Sequence, residues 1–549
     1  MVAAEEAAWI SEELAGLSVK DKRQLKRVGQ VLAAMFEQPG ASVRRMFGEK
    51  AGAKGLYRLV EGEGNKGISA AEVTYAQQQA TLQRCAGEAL VLCVQDTTDV
   101  NISQFTSMTG GGPLPRGKGT RRGFFAQTVL AVNAAGVPLG VLGQHYFERE
   151  ATSDKERQAE EHKTKPIEQK ESYKWLRGVL ESGVEQVSGT TMLFVSDQES
   201  DIFEYLALPR PAHVQLLLRS QYNRRLATSA ATSAATSAAT SAATSAATSA
   251  ANAAGGEAKL WDVVQAEPLA GVIDVPVHSK TNQGERIARC EVRYKQVTLP
   301  APPKKPALQQ ALAAAGRAVS DPEPVMAWMV IVNEIPSQEK EVPAPVPAEP
   351  TQKSAKAPGT AQPEQPEQPE QPEQPEQPEQ PLVWRLLTTL PVTSFAAACD
   401  MAGYYARRWL VERFHYVLKS GCNIEARRLG SVENLQRFLS LANIVAWRLL
   451  WLTYVARETP DAPCTVALST VEWKALVTAI HQGKQAPVQP PSLRQAVRWI
   501  AQLGGFLGRR SDGEPGVTVL WHGWQKLANY AQMYRILAPP DDDSIFGYI

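Results

Sequence analysis

Two runs of exact repeats limit where this chain can build a core. Thr228–Ala251 is six copies of TSAA, and Gln362–Glu379 is six copies of QPE. The first offers no large apolar side chain to bury. The second places proline at every third position, which removes backbone donors and blocks helix and sheet alike. The wider stretch Ser337–Pro381 is similarly rich in Pro, Glu and Gln. Units this short are not solenoid repeats. They read as loops that have lengthened, at little cost in closure entropy, and no function is expected of them.

The remaining sequence is ample for several domains and a sizeable core, since the chain has 549 residues, 44% of them hydrophobic. Its six cysteines are scattered with no C-x-x-C pair, which excludes a zinc-ligand spacing and a disulfide framework and suggests a reducing compartment. The start, MVAAEEAAWISEELAG, is acidic and lacks the basic and apolar regions of a signal peptide. The longest apolar stretch, Phe438–Ala456, carries Asn443 and Arg448 near its centre, so a buried helix is expected rather than a membrane span. These features predict a soluble cytoplasmic protein with no membrane partner. A net charge of +1 first speaks against nucleic-acid binding. That sum includes six glutamates of the QPE tract, without which the balance is +7. Arg116–Arg122 holds four basic residues and no acid, and Arg407–Arg428 six basic against two acidic, so a basic surface is offset by an acidic insertion.

Residues 9–87 read as helical, with a basic cluster at Lys20–Arg27 and a capping box from Ser69 and Glu72 opening a helix through Cys85. ALVLCVQDTTD predicts a buried strand ending at Asp96. FFAQTVLAV, the turn NAAG and VPLGVLGQHYF predict a hairpin. A charged helical stretch, Lys155–Glu181, leads to a strand that breaks at Ser196–Asp197 into a helix, and then to a short strand, Gln215–Ser220. Between the tracts, Lys259–Leu299 and Pro324–Ile335 read as strands of a small β insertion. WRLLTTL is a further strand, followed by helices from Phe395 to about Arg457. Three strands in a meander followed by strand–helix–strand is an α/β pattern.

Asp96 and Asp197 each stand where an apolar strand gives way to a polar turn, positions that also suit a turn aspartate or a helix cap. Asp197, Glu199 and Asp201 resemble a calcium loop only superficially, because the downstream Gly and Glu are missing. Two carboxylates at the ends of two core strands could share a divalent metal. In GYYARRWLVERFHYVLKSG, the residues Tyr405, Arg408, Glu412 and Lys419 fall within an arc of roughly 60° on a continuous helix. An exposed salt-bridged face explains that pattern, and so does a face that meets phosphates and a metal together.

These motifs together, QDTT at Asp96, SDQESD at Asp197 and Y-(2)-R-(3)-E-(6)-K from Tyr405 to Lys419, resemble the bacterial cut-and-paste DDE transposases of insertion-sequence family four, the Tn5-like group. The resemblance runs from the basic N-terminal helices to GRRSDGEPG and WHGWQKLANYAQMYRIL, and both expanded tracts fall in or beside the insertion that interrupts the catalytic core. It implies an RNase H-like, retroviral-integrase-like α/β core with a β-rich insertion. Its divisions are a helical DNA-binding domain (1–75), the core in two parts (76–225 and 382–460), the insertion (226–381) and a C-terminal helical dimerisation domain (461–549). By the same likeness, Asp96, Asp197 and Glu412 are catalytic and bind two Mg²⁺, with Mn²⁺ a possible substitute, for nicking, hairpin formation, hairpin hydrolysis and strand transfer. Tyr405, Arg408 and Lys419 would contact terminal phosphates, and Trp384 would stack on a flipped base.

Weaker DNA-binding expectations attach to Arg219 and Arg224, to Arg121 and Arg122 with Arg116 and Lys118 in a glycine-rich loop, to Arg428, to Trp409 as a second wedge, and to His415, which could reach a phosphate or pair with a carboxylate. The implied partners are transposon-end and target DNA and a second copy of the chain in a synaptic complex, at the bacterial nucleoid. Two alternatives stay open at this point: an RNase H-like nuclease that cannot join strands, and a catalytically silent DNA-binding inhibitor derived from a transposase.

Overall fold

A computed structural model describes residues 8–19, 21–62, 67–115, 121–150, 165–226, 258–278, 285–302, 323–336, 381–482 and 487–537. Both repeat tracts, Lys20, Arg116, Lys118 and residues 155–164 of the expected charged helix lie outside them.

One ten-stranded sheet runs through the molecule, in the order β2-β3-β1-β5-β6-β10-β9-β8-β7, with β4 also paired to β3. The strands are β1 (Leu90–Asn101), β2 (Gly112–Leu114), β3 (Arg121–Asn133), β4 (Pro138–Phe147), β5 (Thr191–Ser196), β6 (Val214–Arg219), β7 (Gly271–His278), β8 (Glu285–Leu299), β9 (Val325–Glu334) and β10 (Val383–Thr388). β4, β3 and β1 are antiparallel, β5 and β6 run parallel to β1, and β10 to β7 continue as an antiparallel series. The β3–β4 hairpin closes where the Asn133 side chain accepts from the amides of Ala135, Gly136 and Val137, with Gly136 at φ 101°. At Gly140 a Cβ would stand 2.1 Å from Thr81 Oγ1, so glycine is what lets β4 lie against the helix carrying Thr81.

Helices cover both faces. Four N-terminal helices, α1 (Ala8–Leu14), α2 (Lys22–Glu37), α3 (Val43–Phe47) and α4 (Lys50–Val60), precede α5 (Ala70–Cys85). One apolar core joins the N-terminal helices to the sheet face that bears Leu92, Val94, Val330 and Leu386. The helices that follow β10 complete it: α9 (Phe395–Ala406), α10 (Trp409–Tyr416), α11 (Val432–Glu458), α12 (Thr470–Ile480), α13 (Leu493–Leu503) and α14 (Val517–Leu537). The other face buries Cys93, Phe194 and Leu218 beneath α6 (Tyr173–Leu180), α7 (Phe203–Leu206) and α8 (Leu260–Gln265). Among the described residues α11 is the one helix long and apolar enough to cross a bilayer, and 83% of its apolar window is inside the protein, as a core helix would be.

Several expectations need correction. β1 does not end at Asp96 but continues to Asn101, because Thr97–Asn101 pairs with Gly123–Gln127 of β3. Ser69 caps α5 by position only, without the side-chain bond of a capping box. Residues 260–265 form helix α8, not strand. The strands of the expected β insertion, β7–β9, extend the central sheet through β10. The helix expected through Tyr405 and Lys419 breaks at Arg407–Arg408, and Lys419 lies in a π-helical turn, Val417–Gly421.

Candidate active site

The parallel register of β1 and β5 pairs Val94 with Val195. Two residues further along each chain stand Asp96 and Asp197, so the pleat sends both side chains to the same face of the sheet, side by side where β5 stops. Asp96 remains in the ladder opposite Thr128 of β3. Asp197 opens a 3₁₀ turn by accepting from the Glu199 amide at 2.9 Å. Over this pair lies α10, packed on β1 and β3, with Glu412 in its first turn and Arg408 just before it. Arg408 approaches Asp96 Oδ1 at 3.9 Å and binds Glu412 Oε1 at 2.5 Å, so one guanidinium serves two of the three carboxylates.

The electrostatics follow from this crowding. Burial pushes the Asp96 carboxyl up to about 7; Arg408 opposes the shift, and the neighbouring carboxylates of Asp197 and Glu412 add to it. Asp197 is also raised, chiefly by burial. Tyr405 is buried beside Arg408 and Arg219, and its ring meets Trp384 edge-on at 5.1 Å, with the indole partly exposed. Arg219 donates to the Val383 carbonyl at 3.1 Å on the neighbouring strand. The fold thus gathers Asp96, Asp197, Glu412, Arg408, Tyr405, Trp384 and Arg219 at one end of the sheet.

Lys419 and Arg121 form a second cluster around Asp99, at 3.0 and 2.8 Å, with Glu425 3.8 Å from Lys419. These two cations hold the Asp99 carboxyl below its ordinary range against the effect of burial. Arg428 is exposed and donates to Ser107 Oγ. The Trp409 ring is half-buried, with the Arg413 guanidinium 5.0 Å over it.

Three expected DNA contacts are engaged inside the protein instead. His415 is buried, its Nε2 3.0 Å from Thr128 Oγ1 and its Nδ1 3.7 Å from Asp96 Oδ2, so it pairs with the carboxylate and does not face a phosphate. Arg224 pairs with the fully buried Asp201, which also accepts from the amides of Gln221 and Tyr222. Arg122 donates to the carbonyls of Phe105, Met108 and Gly110 and so staples their loop.

Sequence reasoning missed Asp99 and Asp201 as anchors, although both stand inside the quoted motifs. It also missed Lys174, a buried ammonium 3.1 Å from Glu199 Oε2 and near enough to Asp197 to oppose the rise of its pKa. No local pattern marks that lysine, because its partner arrives from another element.

The site is thus a strand pair that projects two carboxylates beneath a helix bearing a third. Comparison with known proteins adds to this. Residues 6–63 match the family described as Transposase DNA-binding, and residues 444–538 match the Transposase Tn5 dimerisation domain. Together the two domains support a Tn5-like transposase that binds DNA and pairs with a second copy. Both matches lie outside the segments that bear Asp96, Asp197 and Glu412.

Proposed function

We propose that this chain is a cut-and-paste DNA transposase of insertion-sequence family four, with Asp96, Asp197 and Glu412 as its catalytic acids. The observation that carries the reading is the side-by-side emergence of Asp96 and Asp197 from adjacent parallel strands under the helix of Glu412. The sheet order β4-β3-β1-β5-β6, antiparallel and then parallel, is the order an RNase H-like core would have. The boundaries 1–75, 76–225, 226–381, 382–460 and 461–549 belong to the same proposal.

Two Mg²⁺ ions, or Mn²⁺ in their place, suit this donor set in kind, because all three ligands are hard oxygens. Burial first, and the neighbouring carboxylates after it, raise the pKa of Asp96, and a cation would oppose both. Among the described residues no three such groups close around an ion as they stand, since Glu412 is turned onto Arg408. Arg408 therefore holds the charge balance that the ions would take over. When bound, the ions would polarise phosphorus and activate the oxygen nucleophile for in-line displacement.

The remaining residues act on DNA directly. A guanidinium freed from Glu412 presents a planar fork to a phosphate, and Arg219 and Lys419 add charge on either side. The half-exposed Trp384 ring, held edge-on by Tyr405, offers a face on which an extruded base can stack. Arg121, Arg428 and Trp409 border the same end of the sheet and extend the DNA track. A homodimer would hold two transposon ends in one synaptic complex, acting on the nucleoid in the bacterial cytoplasm.

The test is incubation of the full chain with its element's end sequences and Mg²⁺. Hairpin-ended excised DNA is expected, with Asp96→Ala or Glu412→Ala lowering its rate by about 1000-fold or more. Nicks without hairpins would favour a nuclease that cannot join strands. End binding without cleavage would favour a silent inhibitor.

A further inference from the structure

Behind Asp96 a line of buried polar groups runs from the active-site face into the core, where apolar side chains would pack more simply. It starts at His415 on α10, passes to Thr128 on β3 at 3.0 Å, and then to Gln144 on β4 at 3.1 Å. At its inner end Gln144 Oε1 accepts from the Tyr146 hydroxyl at 2.5 Å and from the Asn443 amide on α11. Five residues from four elements are thereby hydrogen-bonded into one chain that reaches Asp96. A partly satisfied buried network is destabilising, so its retention calls for a reason.

The direction of the chain supplies one. Burial keeps the Tyr146 hydroxyl protonated, so Tyr146 and Asn443 both donate to Gln144 Oε1. With its carbonyl taken, Gln144 turns its NH₂ to Thr128 Oγ1. Thr128 accepts there, which leaves its single O–H to donate to His415 Nε2. An imidazole that accepts at Nε2 carries its proton on Nδ1, the nitrogen 3.7 Å from Asp96 Oδ2. That proton points from Nδ1 towards the carboxylate.

We propose that Thr128, with Gln144 behind it, is a positioning residue that fixes the tautomer of His415 and thereby aims one oxygen of Asp96. The other oxygen, 3.9 Å from Arg408, is the one that would face a metal, the arrangement in which outer partners orient a ligand. The inference rests on the reading of Asp96 as a metal ligand. It adds that the geometry of this ligand is set from β3, β4 and α11, not from solvent.

The experiment uses the full-length protein, with Mn²⁺ binding followed by electron paramagnetic resonance and end cleavage measured in parallel. Thr128→Val keeps the shape and removes the hydroxyl. Mn²⁺ affinity and cleavage rate should each fall by about 10–100-fold, while binding of end DNA without metal stays unchanged. Thr128→Ser should restore both, which a purely steric role would not predict. Should Thr128→Val not fold, Gln144→Met removes the donor that orients Thr128, and the same loss of Mn²⁺ affinity is expected. Wild-type Mn²⁺ affinity in a folded Thr128→Val or Gln144→Met protein overturns the proposal. Asp96→Asn separates the two levels. If it abolishes Mn²⁺ binding while Thr128→Val does not weaken it, the positioning chain alone is wrong. If Asp96→Asn binds Mn²⁺ normally, the metal site itself falls.

Discussion

Around Asp96, three carboxylates crowd together while one guanidinium pairs with two of them, and burial raises the pKa values of Asp96 and Asp197. Across the insertion strands of the same sheet the charges are matched two by two. Arg286 pairs with Glu334, Arg293 with Glu291, and Lys295 with Glu267. The contrast recurs within a few residues after β5, where Asp197 is crowded while Asp201 is saturated by Arg224 and two backbone amides. Paired carboxylates hold the fold together. Crowded ones carry repulsion that protonation or an approaching cation relieves, at the expense of stability.

Three substitutions press on this difference. The largest effect on stability is expected at Asp201→Ala, which leaves Arg224 facing a gap and the Gln221 and Tyr222 amides without their acceptor. Urea unfolding should show a loss of about 3–5 kcal/mol, and a change under 1 kcal/mol would mean that Asp201 is no anchor. Asp96→Asn should act in the opposite sense. The folded pKa of about 7 lies above the ordinary 3.8, so the ionised carboxylate lowers stability progressively between those values and fully above the upper one. In metal-free buffer the variant should therefore melt higher than wild type at pH 8 and no differently near pH 4. A lower melting temperature at pH 8 would break the argument.

The smallest effect is expected at Glu334→Gln. Bonding from Arg286 lowers the Glu334 pKa from 4.5, so its contribution is present above that value and disappears as pH falls through the depressed one. The variant should lose about 0.5–1 kcal/mol at neutral pH, and its stability should respond less to acid. Unchanged acid sensitivity would remove Glu334 from the paired class.

Much of this architecture is legible in the sequence. Continuous β-branched and apolar runs announce β1, the β3–β4 hairpin, β5, β6 and β10, because a buried strand needs such side chains on both faces. The extension of β1 through Thr97–Asn101 escapes that reading, since all of its residues but the buried Val100 are polar and half-exposed and only their partners on β3 make them a strand. Likewise the joining of β9 to β10 depends on pairing between segments far apart in sequence. At the site, the spacing from Tyr405 to Lys419 marks the right segment but presumes a regular helix. The break at Arg407–Arg408 and the π turn change the phase, and Lys419 turns to Asp99. Asp96 and Asp197 stand out because the change from apolar to polar side chains along a strand can be seen locally. The internal partners of Arg122, Arg224 and His415 escape the sequence because each is set by an acceptor that no local pattern reveals.

Where the chain departs for the TSAA tract and returns, Leu226 donates to the Ala258 carbonyl and Arg225 bridges Lys259. The QPE tract springs from a similar neck, with the Glu334 amide bonded to the Leu382 carbonyl and the Leu382 amide to Glu334 Oε2. A loop tied at its neck conveys almost nothing of its length to the body, because each doubling costs only about 0.6 kcal/mol. Copy number in either tract is thus a quantity that selection on folding can scarcely see, and slippage during replication can drift through it unchecked. The two necks are equally natural splice points for a fluorescent reporter.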